Sequence, residues 1–261
     1  VLRAPRHDYT RLLIASQPSR LDLTPVTPPA ATAAPLFSIR DLGVTYRPGG
    51  VMRRRSGTIQ ALSDVSLDIR RGECFGIVGE SGSGKSTAAK VLMRLVAPAQ
   101  GQVLFDGQDV HRLKGAALSA YRRRVQMVFQ NPFDSLNPAM AVIDTIAEPL
   151  RRHGLADAAE ARRRALDMMR QVELPEDFAQ RRPKQLSGGQ CQRVGIARAL
   201  ILQPEVLVAD EITSALDVTI QAQIIRLLVR LRQERDLTVI YISHDLHVVR
   251  KLCDRIAVFR S

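Results

Sequence analysis

Between residues 36 and 46 the apolar positions Phe37, Ile39, Leu42 and Val44 are set off by Ser38, Arg40 and Thr45. Between 58 and 69, Val65, Leu67 and Ile69 alternate with Ser66 and Asp68. A period near two with one wet face predicts antiparallel strands. After residue 70 the pattern changes. Residues 74–78 form a continuous apolar run that feeds a glycine-rich turn and a helical stretch over 85–96. Residues 157–172 read as a charged helix, and Ile220, Ile224, Leu227, Leu228 and Leu231 mark one apolar helical stripe. Two further buried strands follow from 204–210, which ends in acid, and from 238–242, which leads to His244 and a short helix. Continuous apolar strands alternating with helices predict a mainly parallel sheet covered on both faces. The fold expected is therefore α/β, with an antiparallel β layer in front and a mostly helical insertion at about residues 132–186.

Residues 18–35 hold Pro18, Pro25, Pro28, Pro29 and Pro35 among alanines and threonines, the composition of a semi-rigid extended linker. A domain over 36–261 is expected behind it, and residues 47–57 read as a basic, glycine-containing loop between the first two strands. The chain opens on valine, and residues 255–261 read as part of a strand, which suggests a piece of a longer protein.

Composition narrows the picture little. The apolar share of 45% is that of an ordinary globular core. No run of about 18 apolar residues is present, and the N-terminus lacks the apolar stretch of a secretory leader. Cys74, Cys191 and Cys253 have neither disulfide-framework nor zinc spacing, which suits a reducing compartment. The net charge of +12 comes almost wholly from arginine, in clusters at 53–55, 122–124 and 162–164. Such clusters suit nucleic acid or anionic lipid, and equally suit solvated helix faces. With no aromatic residues interleaved to stack bases, no nucleic-acid partner is expected.

The chemistry lies in the glycine-rich turn. Gly79, Glu80, Ser81, Gly82, Ser83, Gly84, Lys85 and Ser86 satisfy the Walker A pattern between a strand and a helix, with Thr87 next. Glycines let successive N–H groups point inward as an anion nest, the helix N-terminus adds partial positive charge, and Lys85 reaches the outer phosphates. Ser86 offers a hydroxyl to Mg2+. The strand ending in Asp210 and Glu211 supplies the other half: Asp210 for the ion, Glu211 to polarise an attacking water.

Leu186, Ser187, Gly188, Gly189 and Gln190 match the signature of ABC ATPases, and the chain resembles that family over about 36–261. The resemblance implies that Ser187, Gly188, Gly189 and Gln190, opening a helix to about Leu202, present N–H groups to ATP held by a second such half. It also implies that Gln130 is the Q-loop residue linking the metal site to a transmembrane partner, that residues 214–217 are the D-loop, and that His244 contacts the γ-phosphate. Tyr46 matches the aromatic that stacks on adenine. Ile212 stands where the family has proline, and Cys191 where it has a polar or basic residue. On this resemblance Glu211, His244 and Gln130 are catalytic and Ser86, Gln130 and Asp210 hold Mg2+. Tyr46 and residues 79–87 bind ATP.

The string Phe129, Gln130, Asn131, Pro132, Phe133, Asp134, Ser135, Leu136, Asn137, Pro138 is similar to the Q-loop of ATPases that serve oligopeptide, dipeptide and nickel importers. His7, Asp8, Tyr9, Thr10 and Arg11 resemble a segment that closes the ATPase domain in that branch. Residues 1–17 are accordingly expected to be the tail of a preceding ATPase domain on the same chain, joined through 18–35 to this one. The resemblance implies ATP and Mg2+ as cofactors, integral membrane permease subunits and, indirectly, an extracytoplasmic solute-binding protein as partners, and a peripheral place on the cytoplasmic face of the membrane. The cargo, peptide or nickel, stays open. The rival readings are a soluble ABC protein acting on ribosomes or DNA, and a regulatory half with a degenerate site.

Overall fold

A computed structural model describes residues 34–46 and 58–260, with His7, Gln17, Leu21, Leu23, 27–30 and 32 from the first part of the chain. The basic loop at 47–57 and all of the expected 1–17 tail except His7 and Gln17 lie outside the described residues.

Strands β1 (Pro35–Tyr46) and β2 (Ile59–Arg70) pair antiparallel, as their alternation predicts. With β4 (Gln100–Phe105) and β5 (Gln108–Asp109) they make a four-stranded sheet in the order β2-β1-β4-β5. The second sheet takes β3 (Cys74–Gly79), β6 (Val125–Val128), β7 (Val206–Asp210), β8 (Thr238–Ser243) and β9 (Arg255–Phe259). Its order is β6-β7-β8-β3-β9, all parallel. β7 and β8 are buried along their whole length, which is why they carry apolar runs and no alternation.

Helix α1 (Lys85–Leu92) follows β3, and α2 (Gly115–Arg124) precedes β6. The periodicity over 85–96 suggested a longer first helix. It stops at Leu92 because Arg94 turns left-handed at φ 55° and the N–H groups of Leu95 and Val96 fold back onto Lys90 O. Between β6 and β7 the chain leaves the sheet as α3 (Pro132–Ser135), α4 (Val142–Arg152), α5 (Ala158–Gln171) and α6 (Gly188–Leu200). α6 ends two residues before the expected Leu202. α7 (Val218–Arg235) and α8 (Leu246–Leu252) complete the set.

The core has two parts. One lies between the two sheets around Phe37, Phe105, Ile77 and Ile240, and the other joins the helical insertion to α7. Leu21, within the stretch read as a linker, is 1% exposed in the second part, with Leu23 half-buried beside it. At these two positions the stretch lies on the domain.

Parallel order has one consequence for chemistry. It brings the C-terminal ends of β3, β6, β7 and β8 to one edge, the usual place for a ligand in an open α/β sheet.

Candidate functional site

β3 runs directly into the glycine-rich turn and α1. Gly82 and Gly84 have φ of 87° and 92°, a region closed to most side chains. At Gly84, the N-cap of α1, a Cβ would also meet Ala61 O at 2.4 Å. The turn thus needs glycine for both torsion and space. Lys85 is buried, and its Nζ donates to Gly79 O at 2.9 Å and to Glu80 O at 2.7 Å. The ammonium is held inside the loop it would serve. Ser83 Oγ, within the loop, is buried with no hydrogen-bond partner. Glu80 and Ser81 are exposed, and Thr87 lies in the first turn of α1.

The acidic end of β7 meets this loop. Ser86 Oγ donates to Asp210 Oδ1 at 3.3 Å. Burial raises the Asp210 pKa, helped by the neighbouring Glu211 charge and opposed by the Ser86 hydrogen bond and by Lys90 and Lys85. A hydroxyl and a carboxylate side by side are hard oxygen donors of the kind Mg2+ takes, so the residues present fit the ion.

Glu211 is the hub. Its backbone is left-handed, φ 47°, and its N–H donates to Ile242 O at 2.9 Å. Gln130 Nε2 donates to Glu211 Oε2 at 2.9 Å, and His244 Nδ1 lies 3.5 Å from the same oxygen. Gln130 also reaches Ser214 Oγ at 3.4 Å. The structure therefore brings Gln130, Glu211 and His244 together from three neighbouring strands. It ties Gln130 to Glu211 and shows no bond from it to the Ser86–Asp210 pair.

Ser187 caps α6 through a reciprocal box. Its Oγ accepts from Gln190 N at 3.3 Å, and Gln190 Oε1 accepts from Ser187 N at 2.9 Å. Gly188 and Gly189 allow close packing: a Cβ on Gly189 would meet Ile220 Cγ2 at 2.4 Å. Among the described residues no hydrogen bond or ion pair joins residues 186–190 to the phosphate loop. Asp217, at the end of the expected D-loop, caps α7 by accepting from Thr219 N and Ile220 N. Tyr46 ends β1 at 38% exposure, opposite Ile59, and the loop after it lies outside the described residues.

Two contacts were not legible from spacing. Thr213 Oγ1 and Tyr241 OH lie 3.1 Å apart in the core behind Glu211. Cys74 Sγ and Cys253 Sγ, distant in sequence, lie 3.6 Å apart as free thiols.

Comparison with known proteins finds matches over most of the chain. The pattern of the family described as ABC transporter matches residues 62–214. The oligopeptide transport ATP-binding protein AppF of Bacillus subtilis (strain 168) is 45% identical over 232 residues, 88% of this chain and 70% of AppF. The glutathione import ATP-binding protein GsiA of Pectobacterium atrosepticum is 40% identical over 282 aligned residues, 99% of this chain and 45% of GsiA. A solved dimer of the ATP-binding cassette MJ0796, bound to ADP and Pi, superposes with a TM-score of 0.76 at 36% identity, covering 86% of this chain and 94% of that one. With its phosphate loop, its acidic strand end and its sheet order, the chain belongs to the ABC transporter family, as an ATP-binding domain that hydrolyses ATP.

Proposed function

We propose that this domain energises import of peptides or a related small solute through a membrane permease, hydrolysing ATP at a site built around Glu211. The observation that carries the site reading is the convergence of Gln130 and His244 on one Glu211 oxygen. In this reading the loop over 79–87 cradles the phosphates and Tyr46 stacks on adenine. Glu211 orients the attacking water, and His244 contacts the γ-phosphate. Ser86, Asp210 and Gln130 would hold Mg2+, which when bound neutralises charge on the outer phosphates. Ser187, Gly188, Gly189 and Gln190 face ATP held by a second half, so that one half alone is nearly inert.

The import reading rests on AppF and GsiA, whose names state oligopeptide transport and glutathione import. Permease subunits are the partners this implies, with the domain on the cytoplasmic face of the membrane. Among the described residues no helix is long and apolar enough to cross one. A second ATPase half on the same chain is supported by the resemblance of residues 7–11 to the closing segment of this branch, and by the match to less than half of GsiA. A solute-binding protein outside the membrane would deliver cargo to the permease.

The test is to express the parent protein with Glu211→Gln, add Mg-ATP, and identify what co-purifies from solubilised membranes and from cytosol. Loss of turnover with retained ATP and co-purified permease subunits supports the reading. Unchanged turnover removes Glu211 from its role, and ribosomes or DNA in place of a permease remove the import assignment.

A further inference from the structure

A left-handed backbone at a glutamate is costly and persists only where the surroundings over-determine it. The turn after β7 shows what does so at Glu211. Its N–H is tied to Ile242 O at 2.9 Å. Its carbonyl accepts from Ser214 N at 3.1 Å and Ser214 Oγ at 2.9 Å. Gln221 Nε2 donates to Thr213 O at 2.9 Å. These four bonds hold the backbone. Inside the core, a further side-chain link passes from this turn into β8, the 3.1 Å contact of Thr213 Oγ1 with Tyr241 OH.

Tyr241 is fully buried and Thr213 nearly so. In the sheet register Tyr241 stands opposite Ala209 on β7, and it precedes His244 by three residues. The hydroxyl pair therefore ties the turn carrying Glu211 to the strand that leads to His244, and those two side chains lie 3.5 Å apart. A buried phenol hydroxyl is a liability unless it is bonded, and phenylalanine would fill nearly the same space without one. Burial also pushes the Tyr241 pKa far up, so the group stays a neutral hydroxyl.

We infer that Tyr241 and Thr213 are a positioning pair that fixes the turn of Glu211 against His244 and Gln130 during ATP hydrolysis. Neither touches the reacting atoms. The inference rests on the proposed role of Glu211 in orienting water.

The experiment measures steady-state ATPase of the parent protein with its partners for Tyr241→Phe, Thr213→Val, the double variant and Thr213→Ser, with Glu211→Gln as reference. Loss of one hydrogen bond predicts a kcat about three- to tenfold lower in each of the first two. KM for ATP stays at the wild-type value in both; Tyr241→Phe keeps the wild-type melting temperature, whereas Thr213→Val melts lower because it leaves the phenol buried and unbonded, a loss the double variant reverses. The double variant falls no further than the worse single, because both remove the same contact, and Thr213→Ser keeps wild-type kcat. If Glu211→Gln is inactive while Tyr241→Phe and Thr213→Val keep full kcat, the positioning role is overturned and the site stands. It is equally overturned if their kcat losses add in the double variant or if the kcat loss of Tyr241→Phe comes with a loss of melting temperature. If Glu211→Gln itself keeps turnover, the reading of the site fails first.

Discussion

The side-chain amide of Gln130 donates to the Glu211 carboxylate across 2.9 Å, joining the chain just past β6 to the chain just past β7. Gln130 stands where the helical insertion leaves the sheet, so a shift of that insertion must act on this bond. Glu211 has few alternatives: His244 is the other group near the same oxygen, and its side chain is 61% exposed. Gln130→Ala therefore leaves the carboxylate free to rotate. The expected result is turnover lower by about tenfold, the scale of a lost hydrogen bond to a charged group, with affinity for ATP in the absence of Mg2+ unchanged. Steady-state kinetics beside equilibrium nucleotide binding checks both halves.

Gly84 is a position in the phosphate loop where replacement is poorly tolerated. Its φ of 92° strains any L side chain, and a Cβ would overlap Ala61 O at 2.4 Å and Leu62 Cδ2 at 2.6 Å. The carbonyl is backbone and cannot swing aside. Gly84→Ala should cost about 2 kcal/mol or more, from strain and overpacking. In a domain of this size that lowers the melting temperature by roughly 4–8 °C. Nucleotide affinity should fall as well, because relief of the clash moves the N-terminus of α1. Gly107, whose Cβ would meet nothing within 4 Å at φ 76°, provides the comparison: Gly107→Ala carries the torsional cost alone and leaves ATP binding intact.

Glu205, just before β7, gives a prediction in pH. Hydrogen bonds from Arg124, and then from Arg71, hold its carboxyl below the ordinary value of 4.5. A lowered pKa in the folded state means stability that is present above 4.5 and is lost as pH falls through the folded value. The carboxylate is 33% exposed, so after solvent screening its contribution is about 1 kcal/mol. Glu205→Gln should be less stable than wild type by that amount at neutral pH, and the two should converge in acid, once the pH lies below the folded value and the wild-type group is protonated. Melting curves at neutral pH and in acid decide it.

Local features were legible in the sequence and distant ones were not. The phosphate loop is a run of adjacent residues whose spacing carries its own geometry, and β7 announces itself by four apolar residues before Asp210. Even so, the end of α1 was missed, because Leu95 and Val96 continue an apolar pattern that the left-handed Arg94 breaks. The Gln130–Glu211 bond spans 81 positions and depends on β6 lying beside β7, which strand order decides and periodicity cannot. Tyr241 reads as one more apolar strand residue, since nothing near it in sequence shows that its hydroxyl finds Thr213. Leu21 sits in a proline-rich stretch whose composition says spacer, yet a single leucine there is buried against the core. In the last three cases a contact between distant parts of the chain overrode the local pattern.

Ser187 joins local stability to the expected action across two halves, and the two can be separated. Its hydroxyl accepts from Gln190 N, so Ser187→Ala leaves one more N–H unpaired at the start of α6 and costs about 1 kcal/mol. That loss belongs to the domain alone and appears in its melting curve. The effect on turnover depends on whose ATP the helix start faces. No bond joins it to the phosphate loop of its own chain among the described residues, whereas Lys85 lies within that loop. Where each site takes its loop from one half and its signature from the other, homodimers formed by this domain on its own should be inactive both with Ser187→Ala alone and with Lys85→Ala alone. A mixed dimer of the two then holds one site with both defects and one with neither, so mixing equal amounts of the inactive preparations should restore turnover, to about a quarter of the wild-type level if halves exchange at random and the sites act independently. If the signature instead serves its own loop, every site in the mixture carries a defect and nothing is restored. ATP retention by Ser187→Ala, measured alongside, separates a failure of turnover from a failure to fold.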